Sequence, residues 1–263
     1  MAALDPQTHR REALAGLRAA LVTEHRAATE AAFVPSGERL IRTGVPGLDA
    51  ALGGGVPRGI IATLEGASTS GRCTVAARLL AVATSQGLAA LIQSDDTGTL
   101  YPPALEAAGV ALERLLVVPA REPLGVARAA DILLRSGAFT VVAIPAVVLK
   151  AAVWTRLAAL AHRANALLLA LGTQASNELG YFASLRVRMT LDRVRWNGGT
   201  GQFATLAGYD VRADVVKAKR SIPHVSAFVT CASFERRGPR LANIRERSLA
   251  GADADRLRAR SIL

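Results

Sequence analysis

The chain has 263 residues, 51% of them hydrophobic and 20% charged, enough for one large core or one domain with appendages at roughly 100–200 residues per domain. The longest stretch free of polar side chains, Val141 to Leu149, is interrupted by Pro145 and falls far short of the roughly 18 residues needed to span a bilayer. The N-terminus lacks the charged-then-apolar pattern of a secretory signal, so cytoplasmic residence without membrane attachment is expected. Cys73 and Cys231 have no paired spacing, which argues against a disulfide framework or a zinc site. The net charge of +11 is concentrated at one end: residues 181–263 hold 16 basic side chains against seven acidic, whereas each of the two preceding stretches, 1–60 and 61–180, has an excess of one. A one-signed field of that kind favours nucleic acid or an acidic protein partner, although an excess of 29 Arg over three Lys is not by itself phosphate recognition.

Residues 8 to 30 carry Leu14, Leu17 and Leu21 at helical spacing in an Ala- and Glu-rich setting and predict an amphipathic helix. A linker containing Pro35-Ser36-Gly37 follows. From Ile60 onward, short apolar runs alternate with Ala-rich helical stretches. Strands are expected near 60–65, 88–93, 115–118, 140–144 and 166–171, and helices near 73–86, 101–109, 124–136 and 151–164. Three further strand-like runs at 185–196, 209–217 and 225–231, with no helix between them, predict an antiparallel extension of the sheet. The chain ends in an Arg-rich stretch that includes Arg236, Arg237 and Arg245, interleaved with Leu241, Leu249 and Leu257.

The first of these strands leads into GASTSGRC, Gly66 to Cys73. It keeps both glycines of the phosphate-loop pattern G-x-x-x-x-G-K followed by Ser or Thr, and departs at both functional side chains. Gly66, Ser70, Gly71 and Thr74 keep the backbone turn and helix start that can face an anion. Arg72 replaces a compact point charge with a longer planar fork. Cys73 replaces a hard hydroxyl oxygen with a soft thiol, a poor Mg²⁺ ligand.

The segment before it, TGVPGLDAALGGGVPRG from Thr43 to Gly59, resembles the stretch that runs into the phosphate-loop strand of RecA-type ATPases. Thr43, Gly44, Leu48, Asp49, Leu52, Gly53, Gly54, Gly55, Pro57 and Gly59 match that pattern. The resemblance continues through RSGAFTVVAI (Arg135 to Ile144), YFASLRVRM (Tyr181 to Met189) and VRADVVKAKRSIP (Val211 to Pro223). It implies an α/β fold: a RecA-like core over 35–231 with a central, mainly parallel sheet flanked by helices. The N-terminal helix and linker would occupy 1–34, and the basic tail 232–263. It also implies that Pro145 stands where the family has its Mg²⁺-shell Asp, and that Asp95 lies nearest the family's catalytic Glu, one methylene shorter. With Arg72, Cys73 and Pro145 all departing, no ATP turnover, nucleotide cofactor or metal is expected. Between Pro145 and Asn165 there is room for a helix but not for the family's first DNA-binding loop, the second is reduced to the six residues between Gln174 and Tyr181, and Lys217 and Lys219 occupy positions that in RecA filaments reach the neighbouring subunit's nucleotide.

A degenerate nucleotide site, a truncated core and a basic C-terminal extension together resemble the ImuA-type RecA-like accessory proteins of SOS mutagenesis cassettes. That resemblance implies a DNA-repair adaptor role in translesion synthesis, with RecA and an ImuB-like polymerase adaptor as partners. The contact residues would be Leu14, Leu17 and Leu21 at one end, Leu241, Arg245, Leu249 and Leu257 at the other, with Lys217 and Lys219 on the core. The alternative is a DNA-binding recombination mediator using Arg186, Arg188, Arg193, Arg195, Arg236 and Arg237; a weak ATPase is a third reading. Trp154 and Trp196, and His162 and His224, are expected to be structural.

Overall fold

The computed structural model describes residues 40–94, 101–198, 204–219 and 226–232, the last as backbone. The chain enters through a two-residue strand, β1 (Leu40–Ile41), and a one-and-a-half-turn helix, α1 (Pro46–Ala51), then β2 (Val56–Pro57), which pairs antiparallel with β1. Here the glycine-rich motif has a structural reason. Thr43 donates to Asp49 Oδ1 from both its backbone N–H (2.6 Å) and its hydroxyl (2.7 Å), closing the turn over the helix start. Gly55, at φ +141°, passes so close to β1 that a Cβ would lie 2.4 Å from the Ile41 carbonyl oxygen. No other residue type fits.

The main sheet follows in the expected order: β3 (Ile61–Glu65), α2 (Arg72–Gln86), β4 (Leu88–Gln93), α3 (Pro102–Ala107), β5 (Leu115–Pro119), α4 (Pro123–Ser136), β6 (Phe139–Pro145), α5 (Ala151–Ala164) and β7 (Leu167–Gly172). A short helix α6 (Asn177–Phe182) then leads into the long strands β8 (Leu185–Asn197) and β9 (Thr205–Ala218), and into β10 (Ser226–Ala232). The spatial order is β10-β9-β8-β3-β7-β6-β4-β5. All pairs from β5 to β8 are parallel, and the β8–β9 and β9–β10 pairs are antiparallel. The sheet is therefore mixed, mainly parallel and flanked by helices, with the antiparallel extension that the three helix-free runs predict.

Its central strands are buried on both faces, which is why they read as continuous apolar runs rather than alternating ones. On one face, Ala62 and Leu64 of β3 pack with Val75, Leu79 and Leu80 of α2. Opposite, Ile61 joins Val126 and Leu134 of α4 and Trp154 and Leu157 of α5. Pro123 starts α4 and Gly137, at φ +67°, ends it. Asn165, at φ +49°, ends α5. Among the described residues no helix is long and apolar enough to cross a membrane.

Two expectations are corrected. The helix placed at 101–109 spans only 102–107, and a 3₁₀ turn at Leu112–Arg114 carries the chain into β5. The stretch from Gln174 to Tyr181, read as the remnant of a loop, forms α6, whose N-cap Ser176 accepts a hydrogen bond from the Leu179 N–H at 3.2 Å. The N-terminal helix with Leu14, Leu17 and Leu21, the carboxylate Asp95, and the tail with Arg236, Arg237, Leu241, Arg245, Leu249 and Leu257 lie outside the described residues.

Candidate functional site

The phosphate loop leaves the carboxyl end of β3, a central strand flanked on both sides by parallel neighbours, where open α/β sheets place their ligands. Its Gly66 N–H donates to the carbonyls of Gly172 and Thr173, each at 3.1 Å. Gly71 adopts the left-handed conformation, φ +81°, at the start of α2. Both glycines are crowded by the antiparallel extension. A Cβ on Gly66 would lie 2.4 Å from the Met189 carbonyl of β8, and one on Gly71 would lie 2.9 Å from Val211 and 3.3 Å from the Tyr209 ring of β9. Tyr209 also exchanges a 2.5 Å hydrogen bond with Thr74 on the first turn of α2.

Arg72 folds back into this loop and donates from Nη1 to the Gly66 carbonyl. A loop built to cradle phosphate offers inward-facing N–H donors and a cation reaching outward. In this chain the cation spends one donor on the loop's own carbonyl. Ser70 Oγ and Arg72 Nε are buried with no protein partner. Cys73 is exposed as a free thiol, and Pro145, at the end of β6, has neither a side-chain oxygen for a metal's water shell nor a backbone N–H. The resemblance to RecA-type ATPases implies a Mg²⁺-nucleotide here, and the side chains at 72, 73 and 145 do not fit one: positions 73 and 145 carry no side-chain oxygen and the arginine is turned inward. Among the described residues no group of three or more His, Cys, Asp or Glu side chains is placed to hold a metal.

Beside the loop, Glu65 at the end of β3 is buried and takes a two-pronged grip from Arg186 of β8, Nε to Oε1 at 2.7 Å and Nη2 to Oε2 at 3.0 Å. Thr63 donates to the same Oε1 at 2.9 Å. Burial pushes the Glu65 carboxyl up, but the hydrogen bonds and charge of Arg186, with Thr63 and the Ala175 backbone, more than offset it and hold it below its ordinary value. Arg186 is therefore committed inward, which corrects its place among the nucleic-acid candidates.

The other basic candidates divide. Arg188, Arg193 and Arg195 are exposed, and Arg195 lies 3.5 Å from Asp210 across the β8–β9 pair. Lys217 reaches α6 and donates to the carbonyls of Gly180 (2.9 Å) and Tyr181 (2.8 Å), closing the helix's C-terminal end. Burial, with Lys219 and Arg186 nearby, lowers its pKa. Lys219 is exposed. Trp154 is fully buried beneath α5, whereas Trp196 is 60% exposed on β8. His162 is exposed, and His224 lies outside the described residues.

Sequence reading passed over Glu65, Tyr209 and Asp131. A lone acid ending an apolar strand (IIATLE), or set within an apolar helix face (AADILL), is the signal that marks the two carboxylates. Asp131 accepts from Arg156 at 2.5 Å and from Arg135 one turn along α4. The Arg156 hydrogen bond, which outweighs burial, holds its pKa below the usual carboxylate value, with help from Arg135.

Strand order, the crossover helices and the glycine-bounded loop at the carboxyl end of β3 define the class: a mainly parallel α/β core with a phosphate-loop-type turn. The RecA N-terminal domain family matches residues 36–159. Among curated proteins, the chain is similar to the protein RecA of Rubrobacter xylanophilus, 42% identical over 109 residues, 41% of this chain and 31% of that protein. It is also similar to the protein RecA of Clostridium acetobutylicum, 39% identical over 108 residues (41% and 31%), and of Mycobacterium leprae, 41% identical over 112 residues (41% and 15%). The matched region thus amounts to less than a third of each of these relatives.

Proposed function

We propose that this chain is a non-catalytic RecA-like adaptor in DNA-damage-induced mutagenesis and translesion synthesis, working through contacts to RecA and to a polymerase-like partner. The observation that carries the reading is the inward turn of Arg72 onto the Gly66 carbonyl, beside a thiol at position 73 and a proline at 145. A phosphoryl-transfer site works by positioning and charge neutralisation, and each of those positions has lost its part. Partial kinship to RecA supports a setting in DNA repair or recombination.

The purified full chain is expected to release phosphate from ATP with Mg²⁺ at the rate of a protein-free control. A steady-state turnover that Arg72→Ala abolishes would overturn the non-catalytic reading. The two ends of the chain are expected to serve different partners. Deleting residues 1–34, which removes Leu14, Leu17 and Leu21, should weaken capture of RecA. Deleting the chain beyond Arg236 should spare RecA and weaken an ImuB-like partner instead. Pull-downs with both truncations, each checked by circular dichroism, test this, and two deletions that leave both interactions intact sink it.

One observation favours a second reading. Residues 190–197 of β8 are exposed on both faces and carry Arg193, Arg195 and Trp196, a ribbon suited to a nucleic-acid backbone and its bases. On that reading binding is sequence-independent and falls steeply with salt.

A further inference from the structure

On the face of the sheet opposite α2, helices α4 and α5 leave a groove between them. Leu124 and Ile132 stand 57% and 63% exposed along one wall, eight residues and so about two helical turns apart. Val153 and Leu157 of α5 continue the apolar lining, and the open cavity measures about 340 Å³. Two large aliphatic side chains so exposed on one helix face are costly unless something covers them.

The rim is basic. Arg128, Arg135 and Arg156 border the groove against one carboxylate, Asp131. That carboxylate is already spent, one oxygen on Arg135 and the other on Arg156. A guanidinium has five N–H donors, and each of those two arginines uses only part of its set on Asp131. The groove therefore presents an apolar floor between unused cationic donors.

We propose that this groove docks an acidic amphipathic helix of a partner protein, its apolar face seated between α4 and α5 and its Asp and Glu side chains meeting Arg128, Arg135 and Arg156. Two packed helices offering an apolar furrow are the geometry of helix-in-groove recognition. Charge selects the occupant. The chain's own flanking stretches do not complement the rim: residues 8–30 have four Arg against three Glu, and residues 233–263 have eight Arg against four carboxylates. A second copy would bring its own excess of arginine. A nucleic-acid strand could meet the rim, but its phosphates have nothing to gain from the apolar floor. The site lies across the sheet from α2 and does not depend on whether the phosphate loop is active.

The test uses the full chain and a fluorescein-labelled 18-residue peptide with Leu at helical spacing and Glu on the flanking positions. Controls are a peptide with Lys in place of each Glu and a scrambled acidic peptide. Anisotropy should show saturable binding of the acidic helix, no binding of the Lys version and at least about tenfold weaker binding of the scramble. Ile132→Glu should weaken the acidic peptide at least about tenfold, the loss typical of a central contact. Arg128→Glu should weaken the acidic peptide and narrow its preference over the Lys version, a change in charge selectivity that mere loss of fold cannot produce. Both positions are exposed, so circular dichroism should be unchanged. Absence of acidic-peptide binding, equal binding by Ile132→Glu, displacement by single-stranded oligonucleotide, or a dimer that Ile132→Glu dissociates would each overturn the proposal.

Discussion

Arg186→Ala is expected to destabilise the chain by about 3–5 kcal/mol, the usual consequence of leaving one partner of a buried pair behind. Glu65 is the partner at risk: it is 2% exposed, and both of its oxygens are held by the Arg186 guanidinium. Removing the arginine leaves a carboxylate beside the phosphate loop with Thr63 and a backbone N–H as its remaining donors. Replacing both members with apolar residues, Glu65→Leu with Arg186→Met, should recover most of the loss, since no charge is then left unpaired. Urea unfolding at neutral pH measures both.

The pH dependence separates this account from simple loss of packing. In the parent chain the Glu65 carboxyl titrates below its ordinary value, so the stability it contributes is fully present above the unfolded value and is lost as pH falls through the lower folded one. In Arg186→Ala, burial acts with little opposition and raises the folded pKa. The penalty should then be largest near neutrality and shrink as acid protonates Glu65. An Arg186→Ala defect that is the same at pH 7 and at pH 4 would show that the ion pair is not its cause.

The parts of the fold legible in the sequence are those whose cause is local. LLLALG is apolar throughout, and IIATLE apart from Thr63 and Glu65, because β3 and β7 are covered on both faces, and α2, α4 and α5 are long enough to show helical spacing. The six-residue helices α1 and α6 fall below the length at which periodicity speaks; α6 is held by a Ser176 cap and by Lys217, 36 residues and more away. The site divides in the same way. Departures at Arg72, Cys73 and Pro145 are visible against the phosphate-loop pattern, but the direction in which Arg72 turns is set by its contact with Gly66 and by the crowding of β8 and β9 over the loop. Arg186 looks like surface charge in the sequence because its partner, Glu65, lies 121 residues earlier and across a parallel strand pair.

The two tryptophans are expected to behave oppositely. Trp154 is fully buried among the α4, α5 and β-strand side chains on one face of the sheet, and its Nε1 has no hydrogen-bond partner. Trp154→Ala should therefore cost about 3–5 kcal/mol through the cavity it opens. Trp154→Phe should cost much less, because most of the volume remains and an unsatisfied buried N–H is removed with the indole. Trp196 is 60% exposed near the end of β8, so Trp196→Ala should leave stability within about 0.5 kcal/mol of the parent. Its effect on single-stranded DNA then discriminates the functional readings. If the β8–β9 ribbon binds bases directly, Trp196→Ala should weaken the complex by about 1–3 kcal/mol, the usual worth of one stacked base. If the chain acts as a protein adaptor, oligonucleotide titration should leave Trp196 fluorescence unchanged, and the substitution should leave DNA binding as it was. Urea unfolding of the three variants, paired with oligonucleotide titration of Trp196→Ala, gives both results, and a Trp154→Ala variant as stable as the parent would contradict the buried position on which the first half of the prediction depends.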